Sequence, residues 1–190
     1  MRVLTKEELE REKEYFLLKV GQGAVFIYPT DTIYGIGCNA RDPVAIKELR
    51  RIKKRETTPF SIIVPGKDWI EKNCILDERA KMWINRLPGP LTLILKLKNK
   101  DAIWKNVAPG LDTVGVRIPD HWISQFVKDL DIPLITTSAN VKGGRFMTSL
   151  DNLDLEVKEN VEFAVYEGEN KGSPSKIINL SGKETEIKTR

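Results

Sequence analysis

The chain has 190 residues, 41% of them hydrophobic, enough to bury a sizeable core, and a single domain over residues 1–190 is expected. Its 31 Lys and Arg against 27 Asp and Glu give a formal net charge of +4, which favours phosphate-bearing partners but does not by itself establish nucleic-acid binding. Its two cysteines, Cys38 and Cys74, lack disulfide-framework or zinc-site spacing, and no apolar run approaches the roughly 18 residues of a membrane span, so a soluble, cytoplasmic chain without membrane contact is expected.

In chain order, Thr5-Lys6-Glu7-Glu8 has the form of a capping box. The stripe Leu9, Phe16, Leu17 and Val20 then predicts one helix that stops at Gly21 and Gly23. The apolar run 24–28 predicts a strand covered on both faces. Asp42-Pro43 pairs an N-cap with proline at the first helical position, opening a helix with Val44, Ile46, Leu49 and Ile52 on one side. A strand over 60–64 follows. Asp77 caps a helix that carries Met82, Trp83 and Leu87 toward the break at Pro88-Gly89-Pro90. Further strands are predicted over 91–97, 113–117 and 133–136, with a helix over 120–130 between the last two. Two late strands, 163–165 and 176–180, close the chain. Strands interleaved with helices predict an α/β fold, and because several strand-to-strand connections lack a helix, the sheet is expected to be mixed.

Several clusters invite a chemical reading. Thr30, Asp31 and Thr32 follow the first strand, where oxygen-bearing side chains either face a ligand or form a turn in which Asp31 bonds its own backbone. Gly35-x-Gly37-x-x-Ala40 has the letters of a dinucleotide fingerprint but not its placement, since the helix opens only at Pro43. Arg50, Arg51, Lys53, Lys54 and Arg55 either clasp a triphosphate, together with the segment Glu56-Thr57-Thr58-Pro59, or complement a helix C-terminus. Thr136, Thr137, Ser138 and Asn140 sit at a strand end, where open α/β sheets bind ligands, though Ser138 or Asn140 could equally cap a helix. Arg117 ends an apolar strand and needs a partner: a carboxylate or phosphate ligand, or an internal acid such as Asp112 or Asp120. His121 has no nucleophile beside it and receives no role.

Taken in order, Pro29-Thr30-Asp31-Thr32-Ile33-Tyr34-Gly35-Ile36-Gly37, Lys53-x-Arg55, Pro59-Phe60-Ser61, Pro88-Gly89-Pro90-Leu91-Thr92, Val114-Gly115-Val116-Arg117-Ile118-Pro119 and Ser138-Ala139-Asn140 resemble the YrdC family of threonylcarbamoyl-AMP synthases. The resemblance implies a twisted mixed α/β sheet around a positively charged cavity. It implies condensation of L-threonine, bicarbonate and ATP, with Mg²⁺ accompanying the ATP and no resident metal, to threonylcarbamoyl-AMP for t6A modification of tRNA. By matching positions, it assigns Thr32, Thr136 and Ser175 to threonine and Arg117 to the threonine carboxylate. Arg55, Thr58, Thr113, Ser138 and Arg190 are assigned to ATP, and Lys53, Arg55, Ser138 and Asn140 to the catalytic set. Implied partners are tRNA or double-stranded RNA and a downstream threonylcarbamoyl transferase complex. The chain departs from the family pattern at Lys176, Lys142 and Met147. Two rivals stand beside this reading: a non-catalytic double-stranded RNA or tRNA-binding module built on the cation run, and a carbamoyl-adenylate domain of the related carbamoyltransferases.

Overall fold

A computed structural model describes residues 1–189. The capping box forms, with the Glu8 amide donating to Thr5 Oγ1 at 3.2 Å and the Thr5 amide to Glu8 Oε2 at 2.8 Å. The one predicted first helix is two, α1 (Lys6–Arg11) and α2 (Lys13–Gly21), because Glu12 leaves helical geometry at φ −109°, ψ 26°. A short strand, β1 (Arg2–Leu4), precedes them. Then come β2 (Phe26–Tyr28), β3 (Gly35–Gly37), α3 (Pro43–Lys53), β4 (Ser61–Ile63), α4 (Lys67–Asn73), α5 (Glu78–Ile84), β5 (Leu91–Lys96) and β6 (Thr113–Arg117). The rest is α6 (Ile123–Leu130), β7 (Leu134–Ser138), α7 (Leu155–Asn160), β8 (Phe163–Val165), β9 (Lys176–Asn179) and β10 (Glu186–Lys188).

Asp42 caps α3, its Oδ1 accepting from the Val44 and Ala45 amides at 2.8 and 3.1 Å. Val44, expected on the core side, is 75% exposed; the buried stripe is Ala45, Ile46, Leu49 and Ile52. On α5, Met82 likewise faces solvent, and Ala80 and Ile84, one helical turn apart, point inward. Gly35-Ile36-Gly37 is the strand β3, wedged between β2 and β7. A Cβ added at Gly37 would stand 1.8 Å from the Ile135 carbonyl oxygen, so the glycine serves strand packing there.

The described strands form one mixed sheet in the order β1-β8-β2-β3-β7-β4-β6-β5-β9-β10. Parallel pairs join β1 to β8, β2 to β8, β4 to β6 and β5 to β9, and the other neighbours run antiparallel. Alternation along each strand divides the core in two. Ile27, Ile36, Ile62 and Ile135 pack against the helices α3, α4 and α5. Phe26, Tyr28, Ile63 and Leu134 pack on the opposite face against α1, α2 and α6, where Phe26 and Phe163 stack with centroids 4.7 Å apart. This second apolar cluster extends no further than β4. Beyond it, toward β6 and β5, the same face turns polar. Among the described residues no helix is long and apolar enough to cross a membrane.

Candidate active site

Strand register builds the polar stretch. Thr136 of β7 stands opposite Ser61 of β4, Ser61 opposite Gly115 of β6, and Ser138 opposite Gly35 of β3. Residues two apart on a strand share a face, so Ser138 joins Thr136, and Arg117 joins Gly115. Thr92 extends the row on β5. Ser61, Thr92, Arg117, Thr136 and Ser138, with Thr30, Thr32, Tyr34 and Ser175, line one cleft. Thr32, Thr92, Thr136, Ser175 and Arg117 are all buried, so each polar group needs a partner or a ligand.

The loop after β2 supplies several. Thr30 Oγ1 donates to the Ile33 carbonyl at 2.8 Å and accepts the Thr32 amide at 3.1 Å. With its one proton committed, Thr30 must accept from the Thr32 hydroxyl, 2.8 Å away. Arg117 Nη2 then donates to Thr32 Oγ1 at 3.1 Å and to Asp31 Oδ1 at 3.0 Å. The acid beside Arg117 is therefore Asp31, distant in sequence, and neither Asp112 nor Asp120. Asp31 Oδ2 accepts the Asp120 amide at 3.0 Å, so this carboxylate ties the loop to the end of β6 instead of folding onto its own backbone. On the far wall, the Ser175 and Thr92 hydroxyls lie 2.7 Å apart.

The cation run disperses. Arg50 stacks on Phe60 and donates to the carbonyls of Arg55, Thr58 and Asn106. Arg51 pairs with Glu48 and Lys54 with Glu156. Lys53, expected against a triphosphate, is instead 2% exposed, and its ammonium donates to the Ser138 and Asn140 carbonyls and to Asn140 Oδ1. Three acceptors take all three of its N–H bonds, so in this structure Lys53 shapes the turn after β7 from behind and lines neither cleft. Burial, and next the Arg55 charge, lower its pKa to about 7, while Asp154 pulls the other way. Asn140 Oδ1 also accepts from Ser138 Oγ at 2.5 Å, and Asn140 Nδ2 donates to the Gly144 carbonyl at 2.6 Å. No helix follows, so neither residue is a cap.

Arg55 also reaches the strand end, through a side chain of β7. Its Nη1 donates to Thr137 Oγ1 at 3.1 Å, and its guanidinium lies over the Phe60 ring. Phe60, Pro59, Leu111, Thr113 and Ile177 line a second cleft, which shares Ser61 and Thr92 with the first. Thr58 lines neither cleft and is exposed, held only through its carbonyl. Arg190 lies outside the described residues. Of the departures, Met147 is buried in the core, the Lys142 amide donates to the Lys53 carbonyl at 3.2 Å, and the Lys176 side chain is exposed. The role assignments from sequence omitted Thr30, Tyr34, Ser61 and Thr92. For Ser61 and Thr92 the available signal was a hydroxyl interrupting an otherwise apolar strand.

Comparison with known proteins follows the same outline. A family model, Sua5_yciO_yrdC, described as "Telomere recombination", matches residues 19–190. A Methanocaldococcus jannaschii protein, whose name assigns it provisionally to threonylcarbamoyl-AMP synthesis, is 40% identical over 93% of this chain and 84% of its own length. The threonylcarbamoyl-AMP synthase of Pyrococcus abyssi is 32% identical over 85% of this chain, which spans only 48% of that protein. The crystal structure of Pyrococcus abyssi Sua5 complexed with L-threonine is similar at a TM-score of 0.87 and 28% identity, covering 98% of this chain and 56% of that one. Escherichia coli YciO shares the fold at a TM-score of 0.83 and 21% identity, over the whole of this chain and 93% of that one.

Proposed function

The chain belongs to the Sua5/YciO/YrdC family, and from that premise we propose that it is an L-threonylcarbamoyladenylate synthase, condensing L-threonine, bicarbonate and ATP for t6A modification of tRNA. The observation that carries the reading is the gathering of Thr32, Arg117, Thr136, Ser138 and Ser175 around one buried cleft that shares a wall with a second. The first cleft takes threonine. Its carboxylate meets Arg117, whose guanidinium Asp31 already orients, so little ordering is left for the moment of binding. The second cleft takes the nucleotide, with Thr113 and Phe60 along it and Arg55 at its rim.

Threonine amine and bicarbonate form a carbamate with loss of water. A carbamate oxygen attacks the α-phosphorus of ATP and expels pyrophosphate, leaving the mixed anhydride with AMP. Such chemistry rests on alignment and charge stabilisation, which suits a site made of hydroxyls, amides and guanidinium groups. Among the described residues no three His, Cys, Asp or Glu side chains converge, and Asp31 is committed to Arg117. Mg²⁺ enters with ATP, held by its phosphates. The setting is cytoplasmic, in keeping with two unbridged buried cysteines. The product passes to a threonylcarbamoyl transferase complex acting on tRNA. Direct RNA binding by the cation run has less support, because Arg50, Arg51, Lys53 and Lys54 are each engaged within the chain.

Pyrophosphate release tests the reading. It should require ATP, bicarbonate and L-threonine together. Equal release with no amino acid present would remove the assignment.

A further inference from the structure

Between β8 and β9 the chain runs as a strap from Tyr166 to Ser175 along the loop after β2, and its Pro174 and Ser175 close one wall of the first cleft. Tyr166 stacks on Tyr34 with centroids 5.8 Å apart. The Tyr34 hydroxyl donates to the Gly168 carbonyl at 2.8 Å and accepts the Glu167 amide at 3.1 Å. Farther along, a Cβ added at Gly172 would lie 1.8 Å from the Thr32 carbonyl oxygen, so the strap presses backbone to backbone on the residue that bonds Arg117. The Glu167 side chain turns the other way, to the segment after β6. Its Oε1 accepts Trp122 Nε1 at 2.6 Å, and its Oε2 lies 3.2 Å from His121 Nε2. That segment is already bound to the loop after β2, because the Asp120 amide donates to Asp31 Oδ2. Three segments of the cleft wall thus form a closed circuit, and Glu167 supplies the side-chain link between the strap and the end of β6.

We propose that Glu167 is a positioning residue for threonine binding, holding the strap through Trp122 and His121 so that Ser175, Tyr34 and Thr32 keep their places around the cleft. The proposal rests on the reading of that cleft as the threonine site. It also gives His121, which has no role in the chemistry, a place in the architecture.

The test compares Glu167→Ala and Glu167→Gln in the whole chain. Loss of the two links should raise KM for L-threonine about three- to tenfold, the scale of one or two partly exposed hydrogen bonds, while KM for ATP and kcat at saturating threonine stay near those of the parent. Gln keeps an oxygen for Trp122 Nε1 and should recover most of the loss. Hydrogen exchange without substrates should be faster at amides 166–175 in Glu167→Ala. A lower melting temperature with an unchanged threonine KM would overturn the positioning role, and unchanged exchange would overturn the anchoring. If the parent itself shows no threonine-dependent pyrophosphate release, the substrate reading fails and the threonine role with it, while the exchange comparison still decides whether Glu167 holds the strap.

Discussion

At the end of α3, five cations fall within six consecutive positions, yet they go to separate destinations: a carbonyl cluster near Asn106, surface carboxylates, the interior behind Asn140, and the strand end at Thr137. In the cleft the reverse holds. Thr32, Ser61, Thr92, Arg117, Thr136 and Ser175 come from six separate segments of the chain and line one cleft. Neighbours along a helix are splayed 100° apart, so a local run cannot by itself form a site. Sheet register, which is long-range, brings alternate residues of separate strands to one face. In this chain the polar lining of the cleft comes largely from the register, and most of the cation run is engaged elsewhere.

The sharpest way to break that contrast is at Lys53. Lys53→Met keeps the apolar stem but removes three hydrogen bonds. The Asn140 carbonyl loses its lysine donor, while Asn140 Oδ1 keeps Ser138 Oγ and the Ser138 carbonyl keeps the Asn140 amide, so the change should cost about 2 kcal/mol of unfolding free energy by chemical denaturation. Arg51→Ala, two positions away on an exposed pair, should melt with the parent. Equal stability of the two variants would mean that the run acts as one surface patch. Arg55 is next: Arg55→Ala should weaken ATP binding by about 1.5–3 kcal/mol, read by calorimetric titration, with far less effect on folding than Lys53→Met. An unchanged ATP titration would return Arg55 to a helix-end role.

The contrast was only partly legible in the sequence. Caps at Thr5, Asp42 and Asp77 are local hydrogen-bonding devices, and all three form as read. The mixed sheet followed from strands lacking an intervening helix. β1 and β10 could not be read, because each has three residues and is largely exposed, and β1 is in addition defined by a partner distant in sequence. Arg117 declared that it needed a partner, but Asp31 lies 86 positions away and only the sheet brings the two together. Lys53 looked like its neighbours because burial is not written in residue type.

Two smaller effects sharpen the comparison. Arg117→Lys keeps the charge and loses the planar guanidinium, whose Nη2 bonds both Asp31 and Thr32, so threonine affinity should fall about tenfold while ATP affinity holds. A stability loss with unchanged threonine affinity would make Arg117 purely structural. The last effect is in pH. With its folded pKa lowered to about 7 from 10.5, Lys53 binds its proton more weakly in the folded chain than in the unfolded one. Stability should therefore rise with pH between those values relative to Lys53→Met, and level off below about 7. Parallel curves for parent and variant would show that Lys53 does not titrate in that window.

The central claim, that residues gathered by sheet register form a threonine site, is tested most directly by calorimetric titration of the parent with L-threonine and with L-serine. Saturable binding of one L-threonine per chain is predicted, with L-serine weaker by about tenfold for its missing methyl group. No heat with threonine, or equal affinity for the two amino acids, would contradict it.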